Sequence, residues 1–498
     1  MPDKQEIQQH QAIITITPTG KKSGSEQQVQ IYTRYQVLRK LPEPSGTILN
    51  NYIIPIDTTI NSYSLYLLYE RITSALDDTH VEGLTSSSYY FQPPGYYQPY
   101  LRLKYINNQY VVIKSLVSGI FPGDAIVSID GLTTTQWEDS LAPFISSGNQ
   151  AVFRRTIAAT LLGRNSNGTV ENIVVKDSVN NTHSFNVLSS NSPYSDYSFY
   201  YADFYPADSL GAVSWTTLPC NIGYVNMGNL TTADVNTMYS NLQNKPAIIF
   251  DLRPNAQGTI DIIADLMFPN NYQYVKYMLP NLTYPGTYYW STDSIGISGN
   301  PTAYKGKVFI LVNEETQSHD EFYSMVLKTL PGAKIIGSQT AGADGDISYW
   351  RLSDDIYTGF TSLGIFYPNG DSTQRIGIIP DTVIEPSAKG IRHHRDEVLE
   401  RAMKSAGCNL SVNNYYFHSP QIKIFPNPAS DYFEVDVNGD YQPPITISLT
   451  DITGKVLLEK SLVTTNKTVV NTSEIYPGIY FVEVDIQNNK YFLKIVKN

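Results

Sequence analysis

The chain has 498 residues, which at roughly 100–200 residues per domain makes room for three or four folded units and excludes a single core. Hydrophobic residues make up 41% and charged ones 16%, a globular balance that excludes wholesale disorder. A net charge of −11 with no Lys/Arg stripe speaks against nucleic acid and anionic lipid as partners, and without a run of about 18 apolar residues no helical membrane span is expected.

Two cysteines, Cys220 and Cys408, are too few for a disulfide scaffold or a Cys-based zinc site. They form one bridge if the protein is exported, or stand as two buried thiols. Tyrosine (38) far outnumbers phenylalanine (18), which hydrates a surface with few charges, as in many exported proteins. Residues 1–11 hold no apolar signal-peptide core, so an exported form would be numbered from after its leader.

Residues 1–95 are expected to form an N-terminal subdomain. Alternating segments at Ala12–Thr17 and Val29–Val37 predict strands. Leu65, Leu68, Ile72 and Leu76 fall at helical spacing and predict a helix over 64–76 that ends at Asp77-Asp78-Thr79-His80.

Residues 96–195 form a second unit, with strands at Leu101–Ile106 and Gln109–Ser115 and a helix near Thr135–Ile145. Between them, Ser118–Gly131 (SGIFPGDAIVSIDG) places Gly119, Gly123 and Gly131 where turns need angles that a Cβ opposes. This segment resembles the PDZ signature, which implies capture of an extended peptide by β-addition. The alternative is any small β-barrel with a Pro-Gly-Asp turn.

Residues 205–405 read as an α/β core. Apolar runs at Ala247–Leu252 and Lys307–Asn313 are each followed by a helical pattern, at Gly258–Met267 and His319–Leu330, as in sheets covered on both faces. Residues 420–498 show short alternating strands with Pro/Gly turns, the pattern of an Ig-like sandwich. The fold class expected is therefore multidomain: an N-terminal cap, a PDZ-like domain, an α/β core and a C-terminal β-sandwich.

Two families are resembled. In the last unit, Pro426-Asn-Pro428, then Asp451-Ile-Thr-Gly-Lys455, then Pro477-Gly-Ile-Tyr480 and a basic terminal strand closely resemble the C-terminal sorting domain of the type IX (Por) secretion system. That resemblance implies export, the secretion machinery as partner of residues 420–498, cleavage of this domain and a secreted or cell-surface protein; a plain adhesive module is the alternative. In the α/β unit, Ile222-Gly-Tyr-Val225 with Ile248-Ile-Phe-Asp-Leu-Arg-Pro-Asn255, Phe309–Glu321, Ile335-Ile-Gly-Ser-Gln-Thr-Ala-Gly342 and Gly377-Ile-Ile-Pro-Asp381 resemble, in order, the motifs of tail-specific and tricorn-core serine proteases, whose core is ClpP/crotonase-like.

The protease resemblance makes Ser318 the nucleophile, placed between a buried strand and a helix start whose dipole and open N–H groups favour an oxyanion. Read without it, Ser318-His-Asp-Glu321 is also a capping box. The tail-specific branch takes its base from a lysine 25 positions later; residue 343 here is alanine. The tricorn-like branch takes a histidine preceded by Ser or Thr, which points to His80 after Thr79, whose imidazole suits proton transfer; otherwise His80 is a residue favoured by a helix C-terminal dipole. The family's orienting carboxylate falls on Gln374, which can position an imidazole but cannot stabilise its charge. Oxyanion donors map to the N–H of His319 and to that of Gln257 or Gly258. Asp251 and Arg253 are expected to brace the strand end, the His319 ring to point away from Ser318, and His393, His394 and His418 to be solvated. No metal or other cofactor is expected. The function implied is a serine peptidase acting on peptides or proteins; a peptide-binding protein that has lost catalysis and a surface adhesin are the alternatives.

Overall fold

The computed structural model describes residues 13–18, 29–34, 62–86, 97–190, 210, 213–284, 287–295, 299–351, 356–393, 395–408, 421–438, 445–451, 455–463, 467–486 and 489–498. The chain divides into two compact units, one of Met1–Tyr205, Ala212–Arg392 and Asp396–Asn409, the other of Pro206–Gly211, His393–Arg395 and Leu410–Asn498. His394, His418 and the Asn/Tyr/Ser-rich loop at 409–420 lie outside the described residues.

In the larger unit, Ile13–Pro18 (β1) and Val29–Arg34 (β2) pair antiparallel. Helix Ser62–Thr73 (α1) buries Tyr69 and Thr73. A 3-10 turn at Ser74–Leu76 follows, then Asp77 at φ 48° and strand Glu82–Ser86 (β3). The expected apolar stripe stops short: the tighter turn breaks the 3.6-residue period, and Leu76 is 47% exposed.

Leu101–Ile106 (β4), Gln109–Ser115 (β5), Ala125–Ile129 (β6) and Leu132–Thr133 (β7) precede helices Thr134–Leu141 (α2) and Gln150–Thr160 (α3) and strands Thr169–Lys176 (β8) and Thr182–Ser189 (β9). The sheet runs β4-β5-β6-β8-β9, with β7 paired to β6. Its core holds Leu101, Val112, Ile129, Ile157, Ile173 and Val175. Gly119, Gly123 and Gly131 all have positive φ, and a Cβ at Gly123 would meet the Ala388 carbonyl at 2.6 Å. α3, capped by Asn149, packs along β4, which leaves β4 as a sheet edge.

The α/β part contains Trp215–Leu218 (β10), Ile222–Asn226 (β11), Val235–Leu242 (α4), Ala247–Asp251 (β12), Ile260–Met267 (α5), Tyr272–Pro280 (β13), Tyr288–Ile295 (β14), Lys307–Val312 (β15), His319–Lys328 (α6), Lys334–Gly337 (β16), Ile347–Arg351 (β17), Ile356–Thr361 (β18), Gly364–Phe366 (β19), Thr382–Val383 (β20), Ala388–Arg392 (α7) and Glu397–Ala406 (α8). The main sheet runs β10-β11-β12-β15-β16-β20, parallel from β11 onward. β11 and β12 are buried at every position, the signature of strands covered on both faces. A smaller sheet pairs β17, β18 and β3. Cys220 and Cys408 form a disulfide across 188 positions, which resolves the two alternatives left open by their number.

The second unit holds Gln421–Phe425 (β21), Tyr432–Asn438 (β22), Ile445–Thr450 (β23), Val456–Val463 (β24), Lys467–Asn471 (β25), Gly478–Ile486 (β26) and Asn489–Lys497 (β27). Two antiparallel sheets, β21-β22-β25 and β24-β23-β26-β27, share a core of Phe433, Val435, Ile447, Leu449, Val482 and Val484, a β-sandwich arrangement. Among the described residues no helix is long and apolar enough to cross a membrane.

Candidate active site

The site grows from the carboxyl ends of three adjacent parallel strands, the place where open α/β sheets leave a crevice. β12 leads into 252–259, β15 into 313–318 and β16 into 338–346. Thr316 stitches all three: its hydroxyl donates to the Leu252 carbonyl at 2.8 Å and its carbonyl accepts from Ala341 N–H at 3.0 Å.

Ser318 sits at the start of α6 with φ 55° and ψ −115°, a conformation that costs a non-glycine residue about 1–3 kcal/mol and persists only where its surroundings enforce it. The next residues of α6 supply that enforcement. Asp320 Oδ1 accepts from Ala256 N–H at 2.8 Å. The Tyr323 hydroxyl donates to the Gln257 carbonyl at 2.8 Å and accepts from Thr259 N–H at 2.9 Å, fixing the turn after β12. Glu321, fully buried, accepts from Ser318 N–H at 3.1 Å, from Gly342 and Ala343 N–H at 2.8 Å each, and from the Thr340 hydroxyl. One helical turn therefore holds the serine and both flanking loops. The Ser318 N–H to Glu321 bond is the capping contact the sequence predicts, so the residue starts the helix and is displayed by it at once.

Three buried carboxyls crowd this helix start. Burial pushes Asp320 up to about 7, with Glu321 nearby adding to the effect. Burial also raises Glu321 against its four donors. It raises Asp344 well above the usual range, with Glu321 the next cause; Asp344 Oδ1 has no hydrogen-bond partner.

His80 is buried at 3% exposure, beyond the 3-10 turn that ends α1 and not on the helix. Its ring Nδ1 lies 3.0 Å from Thr361 Oγ1, and the His80 backbone N–H donates to Asp78 Oδ1 at 3.0 Å. Asp78 also accepts the Thr361 hydroxyl at 2.7 Å and the Thr361 N–H at 2.8 Å. Gln374 Nε2 points at Thr361 Oγ1 (3.3 Å) and Asp78 Oδ1 (3.5 Å), so it reaches the imidazole only through Thr361. Burial lowers the His80 pKa, with Asp78 and Asp346 opposing.

Gly345 and Thr361 connect Ser318 to His80. The Ser318 hydroxyl lies 3.5 Å from the Gly345 carbonyl; a Cβ at Gly345 would stand 2.9 Å from Thr361 Cγ2, and Thr361 carries the His80 bond. Thr79 anchors the same turn, accepting from Gly148 N–H at 2.8 Å. No hydrogen bond joins the Ser318 hydroxyl to the His80 ring in this structure.

Of the expected oxyanion donors, Gln257 N–H is committed to the Met227 carbonyl at 3.1 Å. Gly258 and His319 N–H have no partner among the described residues, and a Cβ at Gly258 would meet nothing within 4 Å. The His319 ring stacks edge-on against Tyr323, centroids 4.1 Å apart. Arg253 is buried between Asp251 and Asp396, with contacts of 2.6–2.9 Å, and ties the end of β12 to the start of α8.

Asp78, Thr361, Asp320 and Tyr323 carry no role in the sequence motifs. Asp78 had a local signal, an acidic residue two positions before a histidine at a helix end. Thr361 had none, because its contact with Asp78 spans 283 positions and exists only through the pairing of β18 with β3.

A cavity of about 790 Å³ lies between β4 and α3 and reaches Glu314 and Glu315. From α3, Arg155 donates to the Glu314 carbonyl at 2.9 Å and to Gln317 Oε1 at 2.8 Å, next to the candidate nucleophile.

Residues 221–384 match Peptidase family S41 and residues 423–498 match the Secretion system C-terminal sorting domain. Among solved structures the chain is similar to mature CPAF complexed with lactacystin (14% identity, 72% of this chain and 91% of that one, TM-score 0.55) and to mature CPAF alone (12%, 72% and 90%, TM-score 0.54); at such identities the likeness is one of fold. A curated relative, the endo-acting ulvan lyase of Formosa agariphila, is 26% identical over 89 residues, 18% of this chain and 17% of that protein, so the chain spans about a sixth of that relative's length. Residues 221–384 are thus similar to Peptidase family S41, and residues 423–498 to the secretion system C-terminal sorting domain.

Proposed function

We propose that this protein is an exported serine peptidase in which Ser318 attacks a peptide carbonyl and His80 serves as base. The observation that carries this is Ser318 itself, held at positive φ on a helix start by Glu321, while the buried His80 is bonded to Thr361 on β18. In the first step the Ser318 Oγ proton passes to His80 Nε2 as the Oγ–C bond forms, and the oxyanion meets the N–H groups of His319 and Gly258. His80 then gives that proton to the leaving amine. Water repeats the sequence on the acyl-enzyme, its proton returning through His80 to Ser318. Burial of His80 keeps it neutral and able to accept at pH 7.

Residues 96–195 act in this reading as a PDZ-like capture domain. Its sheet edge β4 and the cavity beside α3 are where an extended peptide adds as a strand. Residues 420–498 direct the chain to the type IX secretion machinery and are removed on export.

One observation favours a second reading, a peptide-binding protein without turnover: Ser318 and His80 are not hydrogen-bonded to each other. Catalytic hydrogen bonds commonly tighten only with substrate in place. The two are separated by incubating unfolded casein with the parent and with Ser318→Ala. Fragments from the parent alone support the peptidase; casein left intact by both, while peptides still bind, supports the binder.

A further inference from the structure

We infer that Asp78 and Thr361 form a relay that fixes the tautomer of His80 and supplies the negative charge that Gln374 lacks. This deepens the proposed function and rests on it. The Thr361 hydroxyl has one proton to give. Asp78 Oδ1 is an acceptor 2.7 Å from Thr361 Oγ1, so the single hydroxyl proton points at Asp78. That leaves only lone pairs for His80 Nδ1, 3.0 Å away. Nδ1 must therefore carry the proton, and Nε2 is the bare, basic nitrogen. Gln374 Nε2, at 3.3 Å, donates to the remaining lone pair and completes the hydroxyl's hydrogen-bonding capacity.

The reverse tautomer would turn the Thr361 proton to Nδ1 and set a hydroxyl lone pair against a carboxylate oxygen. Asp78 is in turn immobilised by the Thr361 and His80 N–H groups, so the charge faces the imidazole through one atom. When His80 becomes imidazolium, its positive charge lies one hydroxyl away from a carboxylate. That is the part a direct carboxylate plays in a Ser-His-Asp triad. Asp78 and Thr361 are positioning residues; neither touches substrate.

The test has two arms. First, ¹⁵N NMR of the parent labelled at histidine, with His80 assigned by its loss in His80→Ala, reads the tautomer at pH 8. The proton is expected on Nδ1; a proton on Nε2 overturns the relay, whether or not any variant folds. Second, the rate of fluorophosphonate labelling is followed against pH. Asp78→Asn and Thr361→Val are expected to lower the plateau rate at least tenfold, and the double variant no further, because both cut one path. Thr361→Ser is expected to restore most of what Thr361→Val loses. Parent rates and parent pH profiles in Asp78→Asn and Thr361→Val overturn the relay. Undiminished labelling in Ser318→Ala or His80→Ala instead overturns the peptidase reading beneath it.

Discussion

Replacing Gln374 by glutamate supplies the acidic residue that the sequence resemblance leads one to expect there, yet this structure predicts harm. The Gln374 amide nitrogen lies 3.5 Å from Asp78 Oδ1, so the variant sets two carboxylates at that distance. Two unit charges 3.5 Å apart repel by about 5 kcal/mol at an effective dielectric constant near 20, enough to hold a shared proton roughly three pH units higher than usual. At pH 5 the new side chain keeps its proton and resembles the amide. At pH 8 it must ionise or hold its proton against solution, and part of that energy is lost from the fold. Thermal melts at both pH values measure this: Gln374→Glu should melt close to the parent at pH 5 and roughly 5–15 °C below it at pH 8, at about 2–4 °C per kcal/mol. Fluorophosphonate labelling should fall together with stability. A variant as stable as the parent at pH 8, and faster in labelling, would refute the idea that Asp78 already holds the charge of this site.

Glu321→Gln places an NH₂ group against two of the four donors that the carboxylate serves, whichever way the amide turns; a loss of about 2–4 kcal/mol and a sharp drop in labelling are expected from chemical denaturation and probe kinetics. Asp320, raised to about 7 when folded, binds more protons folded than unfolded from about pH 4 to 7. Its contribution is full below pH 4 and is lost as pH rises through 7, on the order of 4 kcal/mol. Asp320→Asn keeps the acceptor for Ala256 and should flatten that part of the stability profile. His80 must be neutral to act, so the acid limb of the labelling profile should have its midpoint below 6.5; a midpoint above 7 contradicts the assigned base. Replacing Cys220 and Cys408 by serine opens a closure of 188 positions and should cost about 5 kcal/mol by the chain-entropy estimate, read from denaturant midpoints.

Local chemistry made part of this legible from the sequence. Ala247–Phe250 and Val308–Val312 are unbroken apolar runs, which only a strand covered on both faces requires. Ser318 followed by Phe322, Met325, Val326 and Leu330 announces a helix start whose far side is core, and Met325 and Val326 are buried as that spacing demands. Periodicity misled where hydrogen bonding changed pitch, as at Leu76. It was silent where function arises from tertiary pairing. Tyr323 sits on the same helix, but its hydroxyl matters only because the turn at 257–260 folds over it. Thr361 is one strand threonine among several until β3 brings Asp78 and His80 alongside. The order of motifs singled out Ser318 as the candidate nucleophile; only the fold brings the Asp78 carboxyl to the hydroxyl that His80 meets.

Covalent capture of Ser318 tests the central claim most directly. The parent is treated with a fluorophosphonate, digested, and the adduct located by mass spectrometry. One phosphonyl group per chain on the peptide containing Ser318, absent from Ser318→Ala and slowed at least a hundredfold in His80→Ala, is the predicted result. A parent that stays unlabelled where a control serine protease reacts, or an adduct on another residue, would contradict it.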